Sequence, residues 1–221
     1  DVTIGDFDDD GDNDVAYVIT DTDTVGFSSN DGDDTFTHMS NKEMTDENFD
    51  IAVLKAYDVD NDGDDDVVCF DKASDTNEEI AYLKSDGSFG WSIIEVASFS
   101  FFNIKDAVVG DFDSDGDGDM VVVGDWTAVH VEQVYSIDNN GDSDFSKNTE
   151  SSFADSDVVV NAVAYILVGD GADGGAGDLV IAMDPTGHSL LEIAIFETTI
   201  PEFTTLLAPI VSASISGVSV F

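Results

Sequence analysis

The nine residues DFDDDGDND, from Asp6 to Asp14, decide the fold because nearly the same phrase returns along the chain. Close copies read DVDNDGDDD from Asp58 and DFDSDGDGD from Asp111, and a weaker copy, DGADGGAGD, begins at Asp170. Short apolar segments rich in β-branched residues precede and follow each copy. Self-similarity with a period of roughly 50 residues indicates a repeat architecture, in which each unit is one supersecondary structure.

A second motif follows the acidic phrase in three of the units. It reads FSSNDGDDTF from Phe27, YLKSDGSF from Tyr82 and YSIDNNGDSDF from Tyr135, whereas IAIFETTIPEF takes its place in the fourth unit without the glycine turn. Asp-Gly and Asn-Gly between apolar segments predict two strands joined by a tight turn. With the strands on either side of the acidic loop, each unit has about four strands. We therefore predict an all-β fold, a propeller-like array of about four four-stranded blades.

The repeat also predicts how the chain is divided. Residues 1–205 are expected to form the propeller, with units at about 1–50, 51–103, 104–160 and 161–205. Residues 206–221 carry no charge, and Val211, Ala213 and Ile215 alternate there with serines. Alternation with period two predicts a half-buried strand. We expect this tail to close the propeller or to pair with another subunit.

The acidic loops are candidate metal sites. In the three full copies, positions 1, 3, 5 and 9 are aspartate and position 6 is glycine, so alternate carboxylates on a tight turn converge on one point. Position 7 is also aspartate and would offer its backbone carbonyl. Many oxygen ligands on a flexible loop favour Ca²⁺ over Mg²⁺ or Zn²⁺, so about three Ca²⁺ sites are expected. The predicted ligands are Asp6, Asp8, Asp10, Asp12 and Asp14; Asp58, Asp60, Asp62, Asp64 and Asp66; and Asp111, Asp113, Asp115, Asp117 and Asp119.

The fourth copy predicts only a weak site. Ala172 and Gly174 occupy its positions 3 and 5. The carboxylates that remain are those of Asp170, Asp173 and Asp178, and Asp173 is out of register.

The loops differ from those of an EF-hand, which has flanking helices and a glutamate at position 12. Tyr17, Cys69 and Val122 occupy that position here, and both flanks are predicted strands. Over about 200 residues the chain instead resembles the FG-GAP or VCBS repeats, which form the blades of integrin-α-like β-propellers. In that family Asp-x-Asp-x-Asp-Gly-x-x-Asp loops bind calcium between the first two strands of a blade. The resemblance implies a non-catalytic protein, extracellular or at the cell surface, that acts in adhesion or ligand binding.

Four units are fewer than the seven or so blades with which integrin-like propellers close. The chain is therefore expected to be a compact four-bladed propeller, a piece of a longer one, or an array that a neighbouring subunit completes.

The charge of the chain restricts its partners. The chain has 49 acidic and 6 basic residues, a formal net charge of −43, yet 42% of its residues are hydrophobic and periodically placed, which indicates a folded acidic protein. Nucleic acids and anionic membrane surfaces both need clusters of Lys and Arg, so neither is an expected partner. No apolar run is long enough for a membrane helix. Metal ions, basic proteins, neutral glycans or further copies of the chain remain.

The sequence does not predict an active site. Close pairs of carboxylates belong to the repeated loops, and His38, His130 and His188 lie in different units. Cys69 is expected to be a buried strand residue, and Trp91 and Trp126 are expected to pack between blades.

Three functions remain open at this stage. The first is a non-catalytic extracellular propeller for adhesion or ligand binding. The second is a structural subunit of a filament or surface layer, in which the C-terminal tail exchanges strands between subunits. The third is an accessory module of a polysaccharide-processing enzyme.

Overall fold

The protein is described by a computed structural model at residues 1–19, 23–32, 35–44, 49–71, 77–100, 102–112, 115–126, 131–141, 144–153, 158–166, 178–185 and 192–197. The regular elements in these residues are β-strands arranged in four antiparallel sheets. No helix in this part of the chain is long and apolar enough to cross a membrane.

The sheets follow one another along the chain, and we number them 1 to 4. Sheet 1 contains β1 (Val2–Gly5), β2 (Asp14–Ile19), β3 (Thr24–Asn30) and β4 (Phe36–Glu43). Sheet 2 contains β5 (Ile51–Tyr57), β6 (Asp66–Asp71), β7 (Asn77–Ser85) and β8 (Trp91–Ser100). Sheet 3 contains β9 (Phe102–Gly110), β10 (Asp119–Trp126), β11 (Val131–Asn139) and β12 (Phe145–Phe153). Sheet 4 contains β13 (Val158–Ile166), β14 (Asp178–Pro185) and β15 (Glu192–Glu197).

Each sheet is a meander, because its strands are hydrogen-bonded in the order in which they occur. This confirms the prediction of an all-β fold: sheets 1 to 3 have four strands each, and the described part of sheet 4 has three. The three full acidic loops join the first and second strands of their sheets, as predicted.

In each of sheets 1 to 3, the acidic loop connects the last residue of the first strand to the first residue of the second strand, and these two residues are paired. Gly5 pairs with Asp14, Tyr57 with Asp66, and Gly110 with Asp119. Positions close to these pairs in one sheet therefore have equivalents in the other two, and the residues at equivalent positions can be compared directly.

Consecutive sheets pack face to face around apolar side chains. Between sheets 1 and 2 lies a cluster that includes Phe7, Phe27, Leu54 and Leu83. A second cluster between sheets 2 and 3 includes Phe70, Tyr82, Ile104, Met120 and Ile137. The first strands of neighbouring sheets are also in contact, β1 with β5, β5 with β9 and β9 with β13. Alternating apolar residues thus stabilise both faces of sheet 2.

Aromatic pairs link sheet 2 to sheet 1 and sheet 3 to sheet 2. The ring of Trp91 stacks on Phe27 of sheet 1, with centroids 4.0 Å apart and planes 16° apart. At the equivalent position of sheet 3, Phe145 makes an edge contact with Tyr82 of sheet 2, with centroids 6.0 Å apart. The prediction that Trp91 packs between blades is confirmed, whereas Trp126 lies in β10 and its side chain is outside the described residues.

Several smaller predictions also have outcomes. Cys69 is a buried residue of β6, as expected, and burial raises the pKa of its thiol far above the usual range. His38 is exposed on β4, where its Nδ1 lies 3.3 Å from the Tyr17 hydroxyl. His130, His188 and the tail at residues 206–221 lie outside the described residues.

Replacing Trp91 by Ala should lower the free energy of unfolding by about 3 kcal/mol, because it removes the ring that stacks on Phe27 and leaves a cavity. Trp91→Phe installs the residue present at the equivalent position in sheets 1 and 3, and it should cost less than half as much. Urea unfolding in calcium buffer measures both losses. Equal losses for the two variants would contradict the packing role of this ring.

Candidate metal centre

The first aspartate of each full loop closes the loop on itself. Its carboxylate accepts a hydrogen bond from the N–H of the glycine at position 6, at 3.0 Å for Asp6, 3.0 Å for Asp58 and 3.2 Å for Asp111. That glycine has a positive φ in all three loops, 90° at Gly11, 104° at Gly63 and 103° at Gly116. Side chains with a Cβ rarely adopt this conformation, so the prediction that glycine permits the sharp turn is confirmed.

The aspartate at position 9 joins the loop to the sheet. The Asp66 carboxylate is buried, and its two oxygens accept hydrogen bonds from the N–H of Val59 at 3.0 Å and of Ser85 at 2.8 Å. Val59 is position 2 of the loop, and Ser85 is the last residue of β7. The same two bonds recur at Asp14, from Phe7 and Asn30, and at Asp119, from Phe112 and Asn139.

Positions 1, 3 and 9 converge in the first two loops. One carboxylate oxygen from each of Asp6, Asp8 and Asp14 lies within 4.8 Å of the others, and Asp58, Asp60 and Asp66 form the same group in the second loop. Within the described residues, three oxygens of these groups are buried and accept no hydrogen bond: Asp6 Oδ1, Asp8 Oδ1 and Asp60 Oδ1. Buried carboxylate oxygens without a donor are costly, so these atoms point to a cation as their partner.

Electrostatics supports the same interpretation. Burial, with the charges of Asp14, Asp10 and Asp6, raises the pKa of Asp8 to about 6. Burial also raises the pKa of Asp66 to about 7, against the opposing effect of its two backbone hydrogen bonds. A raised carboxyl pKa means that the fold disfavours the ionised form when no cation is bound. A bound divalent ion removes that cost, because it favours the ionised form.

The donor set fits calcium. Both groups offer only carboxylate oxygens, on loops that also present backbone carbonyls, and this is the chemistry that Ca²⁺ selects in proteins. The two groups of three aspartates can therefore hold a metal ion each. Asp6, Asp8 and Asp14 would hold the first ion, and Asp58, Asp60 and Asp66 the second.

The aspartates at positions 5 and 7 lie outside these two groups. At position 5, Asp10, Asp62 and Asp115 each accept a hydrogen bond from the N–H of position 7, at 2.9 to 3.2 Å. At position 7, the carboxylates lie against the glycine of the hairpin turn in the same sheet: Asp12 against Gly32, Asp64 against Gly87 and Asp117 against Gly141. Gly32 has a φ of 75°, so this turn favours glycine for its backbone conformation.

The third and fourth loops are described only in part. Asp111 and Asp119 repeat the hydrogen bonds of the first two loops, but Asp113 is outside the described residues. In the weak fourth copy, Asp178 begins β14, and Asp170 and Asp173 are outside the described residues.

Consecutive loops are hydrogen-bonded to each other, which the sequence did not predict. The carbonyl of Phe7 in the first loop accepts a bond from Ser85 Oγ of sheet 2 at 3.0 Å. The carbonyl of Val59 in the second loop accepts one from Asn139 Nδ2 of sheet 3 at 2.8 Å. Asp65 adds a further link, because its N–H donates to the carbonyl of Asp6 at 2.9 Å.

A lysine at the second loop was also missed. Lys84 of β7 places its ammonium between Asp60, which it contacts, and Asp62, whose Oδ2 lies 3.0 Å away. The equivalent residue, one before the strand end that bonds to position 9, is Ser29 in sheet 1 and Asp138 in sheet 3. A lone lysine beside the turn in so acidic a chain is the sequence signal that could have revealed this contact.

Comparison with protein families agrees with the geometry. Residues 58–122 match the family model of the FG-GAP-like repeat, and this segment runs from the first aspartate of the second loop through the third loop into β10. It is an FG-GAP-like repeat, as the resemblance of the sequence predicted. Domains of this kind are typically calcium-binding β-propeller modules of adhesion and ligand-binding proteins, and they are usually non-catalytic. No curated protein matches the chain.

Replacing Asp14 or Asp8 of the first loop by Asn should have different effects on the stability of the metal-free protein. Asp14→Asn turns an amide N–H₂ towards backbone N–H groups, so it should cost about 1 to 3 kcal/mol of stability even in chelator. Asp8→Asn removes a charge that its neighbours repel, so it should leave stability in chelator unchanged or higher. Both should weaken calcium binding. Urea unfolding in EDTA and calorimetric titration give the two readings, and a loss of metal-free stability in Asp8→Asn would contradict the assignment.

The ammonium of Lys84 should compete with a metal ion at the second loop. Lys84→Ser installs the residue of sheet 1 and should raise the calcium affinity of this loop at least several-fold, because a unit charge about 4 Å away is worth about 1 to 4 kcal/mol near a protein surface. Lys55→Ser is the matched control, since Lys55 pairs with Asp106 at 3.8 Å. Isothermal titration with calcium measures both variants, and an unchanged titration of Lys84→Ser would exclude competition.

Proposed function

We propose that this chain is a non-catalytic, calcium-stabilised β-propeller module that acts outside the cell, in adhesion, ligand binding or surface assembly. The observation that carries the proposal is the pair of aspartate groups in which Asp6, Asp8 and Asp60 each have a buried oxygen without a hydrogen-bond donor. The FG-GAP-like repeat at residues 58–122 supports it, because such repeats form calcium-binding propeller modules.

The role proposed for calcium is structural. Each ion would lie where a loop joins two strands and where that loop is hydrogen-bonded to the next sheet. Calcium supplies positive charge there, which offsets the repulsion among the carboxylates of a chain with a net charge of −43. An ion that binds only the folded state stabilises it by mass action.

The proposed partners are a protein or glycan ligand, or further copies of the chain. The acidic balance of the chain favours basic or neutral surfaces over nucleic acid. Support for a non-catalytic role comes from the carboxylates themselves. In the first two loops, the aspartates that converge belong to one repeated motif, and repetition at equivalent positions is expected of a structural element.

A second candidate is a structural subunit of an extracellular filament or surface layer. The apolar side chains that sheet 1 exposes favour it, because large exposed apolar patches mark interaction sites.

Calcium should stabilise the folded protein strongly. At a free concentration one hundred times the dissociation constant, each site adds about 2.7 kcal/mol. For a chain of this size that corresponds to roughly 5 to 10 °C in melting temperature for each site. Differential scanning calorimetry in calcium and in EDTA measures the shift, and titration calorimetry should count about three ions. Asp58→Asn/Asp60→Asn is the control that should remove one ion, and an identical melting temperature in both buffers would refute the proposal.

A further inference from the structure

Large exposed hydrophobic side chains are concentrated on sheet 1. In the described part of the chain they are Val2, Ile4, Phe36 and Met39, with 59%, 62%, 55% and 48% of their surface exposed. Val2 and Ile4 alternate along β1, and Phe36 begins β4. We call the face of sheet 1 that carries Val2, Ile4, Val15, Tyr17 and Phe36 the outer face.

The residues of the outer face are equivalent to those with which sheets 2 and 3 pack against the preceding sheet. Val2 is equivalent to Leu54 and Ala107, which are buried at the interfaces of sheets 2 and 3 with their predecessors. Ile4 is equivalent to Ala56 and Val109, which pack against the same two interfaces. The outer face of sheet 1 is therefore equivalent to the faces of sheets 2 and 3 that the preceding sheet covers.

Phe36 of the outer face is also equivalent to residues that contact a preceding sheet. It pairs with Asn30 as Trp91 pairs with Ser85 and as Phe145 pairs with Asn139. Trp91 stacks on Phe27 of the preceding sheet, and Phe145 contacts Tyr82 of the preceding sheet. An aromatic residue at this position thus marks contact with a preceding sheet, yet Phe36 is more than half exposed.

A polar contact follows the same pattern. Ser85 and Asn139 donate a side-chain hydrogen bond to the loop of the preceding sheet. Their equivalent, Asn30, donates its Nδ2 to the carbonyl of Asn13 in its own loop, at 3.1 Å. The amide of Asn30 lies at the edge where a preceding loop would be.

The chain itself contains a sheet of the complementary kind. The residue pair that receives the following sheet is Ala16 with Phe27 in sheet 1 and Val68 with Tyr82 in sheet 2. At the same register position, sheet 3 has Val121 paired with Ser136, whereas sheet 4 has Val180 paired with Ile195 and so repeats the apolar pair of sheets 1 and 2. Among the described strands, extensive contacts join sheets 1 to 2, 2 to 3 and 3 to 4, and no comparable contact joins sheet 4 to sheet 1.

We propose that the outer face of sheet 1 binds sheet 4 of a second copy of this chain, head to tail. The five residues that define the face are uncharged, and the carboxylate that the strand pairing places on the same face, that of Glu43, lies at the end of β4. The interface would continue the sheet-on-sheet packing already present within the chain. It is heterologous, and such contacts build rings or filaments. The inference rests on the packing of the sheets and does not require a metal ion.

Sedimentation velocity of the whole chain over a series of concentrations tests the proposal. We expect association that Phe36→Asp weakens at least tenfold. Thr37→Asp is the matched control, because Thr37 is the next residue of β4, is also exposed and points to the opposite face. Phe36→Trp installs the residue of sheet 2 and should retain association. Ile4→Thr gives an independent weakening on the same face if Phe36→Asp fails to fold.

Two kinds of result overturn the proposal. Association that is insensitive to Phe36→Asp and Ile4→Thr would assign the contact to another surface. A monomer at every concentration would exclude a second copy, and hydroxyl-radical footprinting of Phe36 would then separate a face covered by residues 198–221 of the same chain from a bare one. The same sedimentation series in EDTA separates this proposal from the calcium proposal, since a stable fold without metal would still associate.

Discussion

The described sheets depend on a buried aspartate at position 9 of each full loop, which links the loop to the end of the third strand. Asp14, Asp66 and Asp119 each accept one backbone N–H from the start of an acidic loop and one from the end of the third strand. A single carboxylate therefore determines where the loop begins relative to two strands. In the first two loops, one oxygen of the same carboxylate also lies within 4.8 Å of carboxylate oxygens at positions 1 and 3. One side chain therefore positions the loop relative to the strands and contributes an oxygen to the candidate metal group. These two roles explain why position 9 is aspartate in all three loops.

Much of the fold could be predicted because its signals are local and repeated. Apolar segments on both sides of DFDDDGDND, a positive-φ glycine such as Gly11 and an Asp-Gly turn each constrain only a few neighbouring residues. Contacts between units left no such signal. The bond from Ser85 to the Phe7 carbonyl joins residues 78 positions apart, and the stacking of Trp91 on Phe27 depends on how two sheets face each other. Lys84 was missed for a different reason: its contact lies within one unit, but a residue of the third strand reaches the acidic loop only after the meander has formed.

Repetition of the sequence does not make the three acidic loops equivalent. The backbone of the second loop repeats the first, but Ser29 is replaced by Lys84 and, in sheet 3, by Asp138. One position on the third strand thus adds a neutral, a positive or a negative group beside otherwise similar aspartates. Small substitutions outside the loops can in this way set different metal affinities on one scaffold. The same logic applies to the faces of the sheets, where Phe36, Trp91 and Phe145 are equivalent in position but differ in what covers them.

In the first two loops a backbone carbonyl is held by a side chain of the sheet that follows. The carbonyl of Phe7 accepts a hydrogen bond from Ser85 of sheet 2, and the carbonyl of Val59 accepts one from Asn139 of sheet 3. Loss of sheet 3 would therefore leave the Val59 carbonyl of the second loop without this donor, whereas loss of sheet 1 would leave the bond intact. Unfolding from either end of the chain would thus affect the second loop differently.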